Sequence, residues 1–310
     1  MGEIMKDRTN QVYSGIDSIP RGTASDTITN GCLVLEGGAF RGVYTAGVLD
    51  ALMLNGINLQ TVIGCSAGAL NGINYVAGQI GRSGRINLGY RHDPRYVGAR
   101  RLLWEGSLIS FDFLLRQTDA FEPLDRQRFF DPRRRFAVVV TDCRTGEAKY
   151  PERDECGDIF KAVQASASMP FVSQAVTVDG APCLDGGCAC KVPYAWALEQ
   201  GFEKVVVVRT RQPTFRKRPT SPAQRKLTEQ IYREYPEFAQ RLANSNEDYN
   251  QQCDEMAALA KQGTVYMIAP STPVRIQRLE GDMEKLGKLY WLGYHDAEEQ
   301  IDKLKAYLGV

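Results

Sequence analysis

Three times in this chain a glycine-rich turn follows directly on an apolar, strand-like run, and that repeated break limits the fold more than any other feature. Cys32-Leu33-Val34-Leu35-Glu36 runs into Gly37-Gly38-Ala39-Phe40-Arg41-Gly42, Val62-Ile63 into Gly64-Cys65-Ser66-Ala67-Gly68, and Pro182-Cys183-Leu184 into Asp185-Gly186-Gly187. After the first turn Val43, Ala46, Leu49 and Met53 recur at helical spacing until Asn55-Gly56 stops the helix, and after the second a small-residue helix opens through Ala69, Leu70 and Gly72. Strands alternating with helices indicate parallel strands joined by crossover helices. The class is α/β with a mostly parallel central sheet.

Further strands are expected at Leu59 to Ile63, Phe136 to Thr141, Lys204 to Thr210 and Thr264 to Ala269, nearly continuous in apolar residues as befits strands covered on both faces. Val176 to Val178 and Pro182 to Leu184, joined through Asp179-Gly180, read as a hairpin whose second arm delivers Asp185. Gln212 to Pro222 is polar, basic and proline-rich, a linker or exposed loop, and helices are expected within Ala223 to Gln262 and Asp282 to Leu308. The resulting division is a loose polar lead at 1–30, a main domain at 31–212, and a mainly helical extension at 213–310 with one strand, packed on that domain.

With 310 residues, 43% of them apolar and 24% charged, the chain can bury a substantial core and is not disordered as a whole. A formal net charge of +1 argues neither for nucleic acid nor for strong attraction to anionic surfaces, and no nucleic-acid partner is expected. No run reaches the length of a bilayer-spanning helix and the first thirty residues lack the apolar stretch of a secretory signal, so a cytoplasmic protein is expected. The eight cysteines are scattered without zinc spacing and are expected to be reduced; neither metal nor cofactor is implied.

Gly64-Cys65-Ser66-Ala67-Gly68 between a strand and a helix is the pattern of a nucleophile elbow, in which flanking glycines permit the tight turn that lifts a serine oxygen clear of the backbone. The alternative is an ordinary turn in which Ser66 caps the helix. The first glycine loop could cradle an anion on its backbone amides, either a phosphate or a tetrahedral oxyanion, or simply be a close-packed turn. Its glycines at 37, 38 and 42 fit neither the Walker nor the dinucleotide spacing. Paired with Ser66, an oxyanion hole accounts for two glycines at the start of the loop. Arg41 would bring charge to the site or anchor the loop through a salt bridge, and the anchor is the preferred reading.

His92 and His295 are the only histidines. A Ser-His-Asp triad would need one of them, whereas a dyad of Ser66 and Asp185 needs neither. As sole base a carboxylate with the ordinary value of about 3.9 is weak, so Asp185 is expected to be desolvated; such a dyad suits esters and thioesters better than amides.

These three motifs resemble the patatin-like phospholipases, whose signatures are Gly-Gly-Gly-x-Arg/Lys-Gly, Gly-x-Ser-x-Gly and Asp-Gly-Gly/Ala. The resemblance runs over about Cys32 to Arg211, continues through Ala165-Ser166-Ala167-Ser168-Met169-Pro170-Phe171 and Val192-Pro193, and extends to Arg225-Lys226-Leu227, Arg278-Leu279-Glu280 and Leu292-Gly293-Tyr294, which look like the C-terminal extension of a bacterial subgroup. It implies a three-layer α/β/α sandwich and cofactor-free hydrolysis of lipid acyl esters, with transient contact at a membrane surface. By position it implies Ser66 as nucleophile, Asp185 as base and the amides of Gly37, Gly38 and Ala39 as oxyanion donors, supported by Arg41, Gly42, Gly64, Gly68, Gly186 and Gly187. Ala39 departs from the third family glycine and disfavours positive φ. An acyltransferase using the same acyl-serine, or an inactive lipid- or nucleotide-binding module, is the rival expectation.

The basic series Arg82, Arg85, Arg91, Arg95, Arg100 and Arg101, with Leu102-Leu103-Trp104 and Phe111 to Leu115 behind it, is read as a solvated helix face followed by core residues, in preference to an interfacial lid. His92 is expected to be exposed beside a helix start at Asp93-Pro94, Cys65 to point away from the site, and the tryptophans to pack.

Overall fold

The aliphatic runs become strands buried on both faces, in a computed structural model that describes residues 11–98 and 107–310. In chain order the strands of the main sheet are β1 (Thr29–Leu35), β2 (Leu59–Cys65), β3 (Arg135–Asp142), β4 (Val176–Val178), β5 (Ala181–Asp185), β6 (Val205–Val208) and β7 (Val265–Ile268). They lie in the order β7-β6-β1-β2-β3-β5-β4, with Ala148–Lys149 paired to β3 beside them. From β7 to β3 every pairing is parallel; the hairpin β4–β5 then closes the far edge antiparallel. Leu35 lies level with Gly64 on one side and Val208 on the other, so the turns after β1, β2 and β6 share one edge. Val140 of β3 lies opposite Asp185, which brings the end of β5 to the same region.

Because alternate strand residues face opposite sides, the sheet has two cores. Leu33, Leu35, Val62, Phe136 and Val208 face a layer that includes α1 (Gly42–Leu54), α2 (Ala67–Val76), α3 (Arg82–Tyr90) and α4 (Ile159–Ser166). Cys32, Val34, Ile63, Val139 and Val207 face the helix Tyr194–Glu199 and Tyr249, Cys253 and Met256 of α6 (Pro236–Lys261), which follows α5 (Pro222–Ile231). Helices on both faces of a mixed, mostly parallel sheet make the three-layer sandwich. Pro236 at the first turn of α6 separates it from α5, since a proline fits that turn but not a helix interior.

The C-terminal segment adds β7 to the same sheet and lays α7 (Met283–Glu298) along α1, with α8 (Ile301–Leu308) beyond it. A Cβ on Gly47 would stand 2.0 Å from the Tyr290 carbonyl oxygen, so the two helices approach backbone to backbone. The contact is closed by two reciprocal pairs: Tyr44 donates to Asp296 at 3.0 Å and Tyr290 to Asp50 at 2.7 Å, all four side chains buried. The spacing of Val43, Ala46, Leu49 and Met53 suggests one apolar face, but Gly42 to Met53 is buried throughout because α7 covers the remainder.

Two expectations need correction. Residues 11–30 are not loose: Ile19 and Ala24 are buried, Gly22–Thr23 pairs with Gln79–Ile80, and the Tyr13 amide donates to Leu88 O at 3.0 Å. The segment from Gln212 is more than a linker, since Asn250 of α6 holds both backbone groups of Lys217, accepting from its N–H at 2.7 Å and donating to its carbonyl at 2.9 Å. All eight cysteines carry free thiols.

Candidate active site

β2 runs to Cys65 and α2 starts at Ala67, which leaves Ser66 to make the whole change of direction at φ 54°, ψ −122°. Positive φ is costly for a residue with a Cβ and persists only where the surroundings enforce it. Two contacts do so. Ser166 at the end of α4 accepts from the Ser66 N–H at 2.9 Å, and a Cβ on Gly68 would come within 2.4 Å of Leu35 O, so only glycine lets α2 sit this close to β1.

The hydroxyl of Ser66 donates to Asp185 Oδ2 at 2.8 Å, and Asp185 Oδ1 accepts from the Gly187 N–H at 2.7 Å. The backbone of Asp185 is fixed as well, its N–H donating to Ser168 O and its carbonyl accepting from Thr141 Oγ1, both at 2.9 Å. Burial raises the Asp185 carboxyl above the ordinary value; the bonds from Ser66 and Gly187, with Lys191 and Arg278 nearby, pull back. Neither histidine hydrogen-bonds this pair: exposed His92 contacts Gly281 O at 2.7 Å, and exposed His295 contacts Glu298 at 3.4 Å from the last turn of α7. Asp93-Pro94 lies in a turn rather than a helix.

The glycine loop lies beside Ser66, with Ala39 at φ 50°. Thr210 Oγ1 donates to Gly37 O at 3.2 Å, and the Phe40 N–H donates to Arg278 O at 3.2 Å. The Gly37 N–H is turned to Lys191 O at 3.4 Å, while among the described residues the amides of Gly38 and Ala39 have no partner. Arg41 does not anchor the loop: it forms no ion pair among the described residues, and its Nε is buried without a partner. The nearby carboxylate is already engaged, since Glu36 accepts from the Thr210 N–H at 2.5 Å and from Tyr249 OH at 2.8 Å. Burial first, then repulsion from Arg211 and Arg278, brings Arg41 down to about 10.

Ser66 stands between two unlike cavities. One, enclosing about 880 Å³ with its mouth, runs under the loop between Ala39, Val43, Leu70, Ile86, Phe111 and Leu114. The other, about 700 Å³ with its mouth, includes Arg41, Asp185, Lys191, Lys217 and Arg278. Sequence reasoning missed Lys191, Lys217, Arg278 and Ser166 as neighbours of the serine. Lys191 lies six residues beyond Asp185, but Lys217 and Arg278 come from the C-terminal segment and carry no local signal.

The basic series is corrected in part. Arg82 and Arg85 are 4% and 8% exposed rather than a solvated face. Arg85 makes a fork to Glu122 at 2.6 and 2.8 Å, and Arg82 donates to Asn74 Oδ1 at 2.6 Å and Glu122 O at 2.8 Å. Phe111, Phe113 and Leu114 are buried as expected, whereas Arg100, Arg101 and Leu102-Leu103-Trp104 lie outside the described residues. Cys65 is buried but, contrary to expectation, lines the second cavity between Gly37 and Gly187, and Trp196 packs in the second core.

Strand, strained serine, helix and a buried carboxylate at one edge of a sandwich define a serine-elbow α/β protein. The model of the patatin-like phospholipase family matches residues 33–198, and the chain belongs to that family. Residues 235–309 match a domain of unknown function, DUF6363. The uncharacterized protein YjjU of Escherichia coli (strain K12) is 32% identical over 186 residues, 57% of this chain and 51% of the relative, so the chain spans about half the length of that curated relative. Among solved structures, VipD from Legionella pneumophila is similar with a TM-score of 0.45 and 14% identity, covering 91% of this chain and 68% of VipD. The complex of SpcU with ExoU from the type III secretion system of Pseudomonas aeruginosa has a TM-score of 0.28 and 15% identity, covering 77% of this chain and 62% of the other. Membership supports lipid acyl hydrolase activity in general. Among the described residues no helix is long and apolar enough to cross a membrane.

Proposed function

We propose that the protein is a serine lipid acyl hydrolase working through a Ser66–Asp185 dyad on fatty-acyl esters of phospholipids or lysophospholipids. The observation that carries this reading is the 2.8 Å hydrogen bond between a strained serine and a buried carboxylate at the mouth of an apolar cavity. Ser66 Oγ attacks the ester carbonyl as its proton passes to Asp185 Oδ2. The tetrahedral oxygen is received by the unpartnered amides of Gly38 and Ala39; the Gly37 amide joins them only by leaving Lys191 O. Donors of this kind are each worth about 3 kcal/mol of barrier. Asp185 returns the proton to the leaving alkoxide; water, deprotonated by the same carboxylate, then attacks the acyl-serine, the fatty acid leaves, and Asp185 passes the proton back to Ser66 Oγ. Burial serves this role, because a carboxylate raised toward neutrality is a stronger base.

The acyl chain occupies the apolar cavity and the alcohol portion leaves through the cationic one. The chain works in the cytoplasm and meets lipid by transient contact with a membrane surface. The test is release of p-nitrophenol from p-nitrophenyl butyrate together with labelling of Ser66 by a fluorophosphonate. Full turnover in Ser66→Ala, or a collapse when both histidines are replaced, would reject the dyad.

A further inference from the structure

The cavity on the leaving-group side of Ser66 gathers four basic side chains, Arg41, Lys191, Lys217 and, at its exposed rim, Arg278, against one lining carboxylate, Asp185, whose two oxygens are held by Ser66 and Gly187. None of the four forms an ion pair among the described residues. Glu36, the next carboxylate, sits behind the loop and is used by Thr210 and Tyr249. Of the buried arginines elsewhere, Arg85 is paired with Glu122, and Arg134 is answered by the carbonyls of Leu59, Tyr75 and Val76.

These cations are held in place. The Lys191 carbonyl accepts from the Gly37 N–H and its ammonium donates to Ser245 O at 2.7 Å. Lys217 is pinned through its backbone by Asn250, with its ammonium 4.4 Å from the Tyr249 ring centre. Arg278 is tied through its carbonyl to Phe40, and Arg91 donates to the two carbonyls that follow, Leu279 O at 3.0 Å and Glu280 O at 2.7 Å. Burial first, then repulsion by Lys191 and Arg278, lowers Lys217 to about 6, so this amine is largely neutral near pH 7 and gains its proton when an anion sits beside it.

We propose that this cavity is a leaving-group subsite for a phosphate monoester, so that the preferred substrates are acyl esters whose alcohol part carries a phosphate dianion. The inference rests on acyl hydrolysis at Ser66. A phosphate monoester carries a charge of about −1.5 to −2 at neutral pH and three acceptor oxygens, which suits several convergent donors. A phosphodiester capped by a quaternary ammonium brings one negative charge and a cation that the same wall repels. Two of the selecting cations, Lys217 and Arg278, come from the C-terminal segment, which gives that segment a part in choosing substrate.

The experiment compares kcat/KM of the full chain for lysophosphatidate, lysophosphatidylcholine and monoacylglycerol of the same acyl length, with p-nitrophenyl butyrate as a reporter of the acyl chemistry. Lysophosphatidate is expected to exceed both others by tenfold or more, and Lys217→Met or Arg278→Met to shrink that ratio several-fold, mainly through KM. Glycerol 3-phosphate is expected to inhibit p-nitrophenyl butyrate hydrolysis competitively, and glycerophosphocholine far less; this separates recognition of the phosphate from recognition of the lipid. Equal rates on the three lipids, or a ratio that survives both substitutions, would overturn the subsite while leaving acyl hydrolysis standing. Absence of p-nitrophenyl butyrate turnover would instead remove the underlying reading.

Discussion

Two groups of cations flank Ser66, and they are treated in opposite ways. On the side of the first cavity, which Arg82 itself lines, Arg82 and Arg85 are as buried as core residues, and Glu122, Asp119 and Asn74 answer them. On the other side Arg41, Lys191 and Lys217 are half-buried without ion pairs among the described residues, and the exposed Arg278 stands beside them. A buried charge with a partner is part of the scaffold, because removing either member strands the other in low dielectric. A cation left without one costs stability unless something outside the fold answers it. In the proposed reaction, the difference separates the wall beside the acyl chain from the wall that would meet the rest of the substrate. Substitutions on the two sides should therefore divide between stability and activity.

The largest effect is expected at the serine between them. Ser66→Ala should lower kcat by about 10⁴-fold or more, some 5.5 kcal/mol of barrier, with little change in Tm, as read by fluorogenic ester turnover and thermal unfolding of the same preparation. Asp185→Asn should lose comparable activity yet gain stability at neutral pH, because it removes a carboxylate that burial penalises. On the paired wall the outcome reverses. Arg85→Met leaves Glu122 without its fork and should cost about 3 kcal/mol of stability, measured by denaturant midpoint, before any specific loss at the serine is seen. If Arg85→Met leaves the midpoint unchanged, the division between the walls fails.

How much of this was legible in the sequence follows from the range over which each residue acts. The strands and both turns of the proposed dyad are local: β-branched runs, a glycine each side of Ser66, and the Asp179-Gly180 turn with φ of 45° and 79° that sends β5 back to deliver Asp185. The burial of Arg82 and Arg85 was not local, because their partners Asp119 and Glu122 lie in a segment that folds over α3 from more than thirty residues away. The sequence favours Arg41 as an anchor, but its nearest carboxylate, Glu36, is held by Thr210 and by Tyr249, more than two hundred residues downstream. Likewise the stripe on α1 was readable, but its second covering was not, since Gly293 and Asp296 of α7 gain meaning only once the helices touch.

The pH response of the site adds a second division. In the proposed mechanism Asp185 must be ionised to accept the serine proton, so kcat/KM should fall as pH drops through its raised value, at a higher pH than an ordinary carboxylate would give. For stability the sign is opposite. Between the unfolded value of about 3.9 and the higher folded one, the native state holds the proton more tightly, so this group's contribution improves on acidification through that window. A chain whose activity and Asp185-dependent stability fell together with pH would contradict desolvation as the cause, and Asp185→Asn supplies the baseline for the comparison.

The smallest expected effect concerns the loop itself. Ala39 sits at φ 50°, where an L-residue pays about 1 kcal/mol that glycine does not, and where the family pattern has glycine. Ala39→Gly should therefore raise the unfolding free energy by up to about 1 kcal/mol, less what glycine loses in the unfolded chain. Its amide keeps its place, so activity on p-nitrophenyl butyrate should stay within about twofold if the donors are held by the Phe40 and Thr210 bonds rather than by the methyl group. A tenfold gain or loss would mean that the alanine methyl, which also lines the apolar cavity, sets the acyl fit at Ser66. That result would move Ala39 from the oxyanion side of the site to the wall that selects the chain.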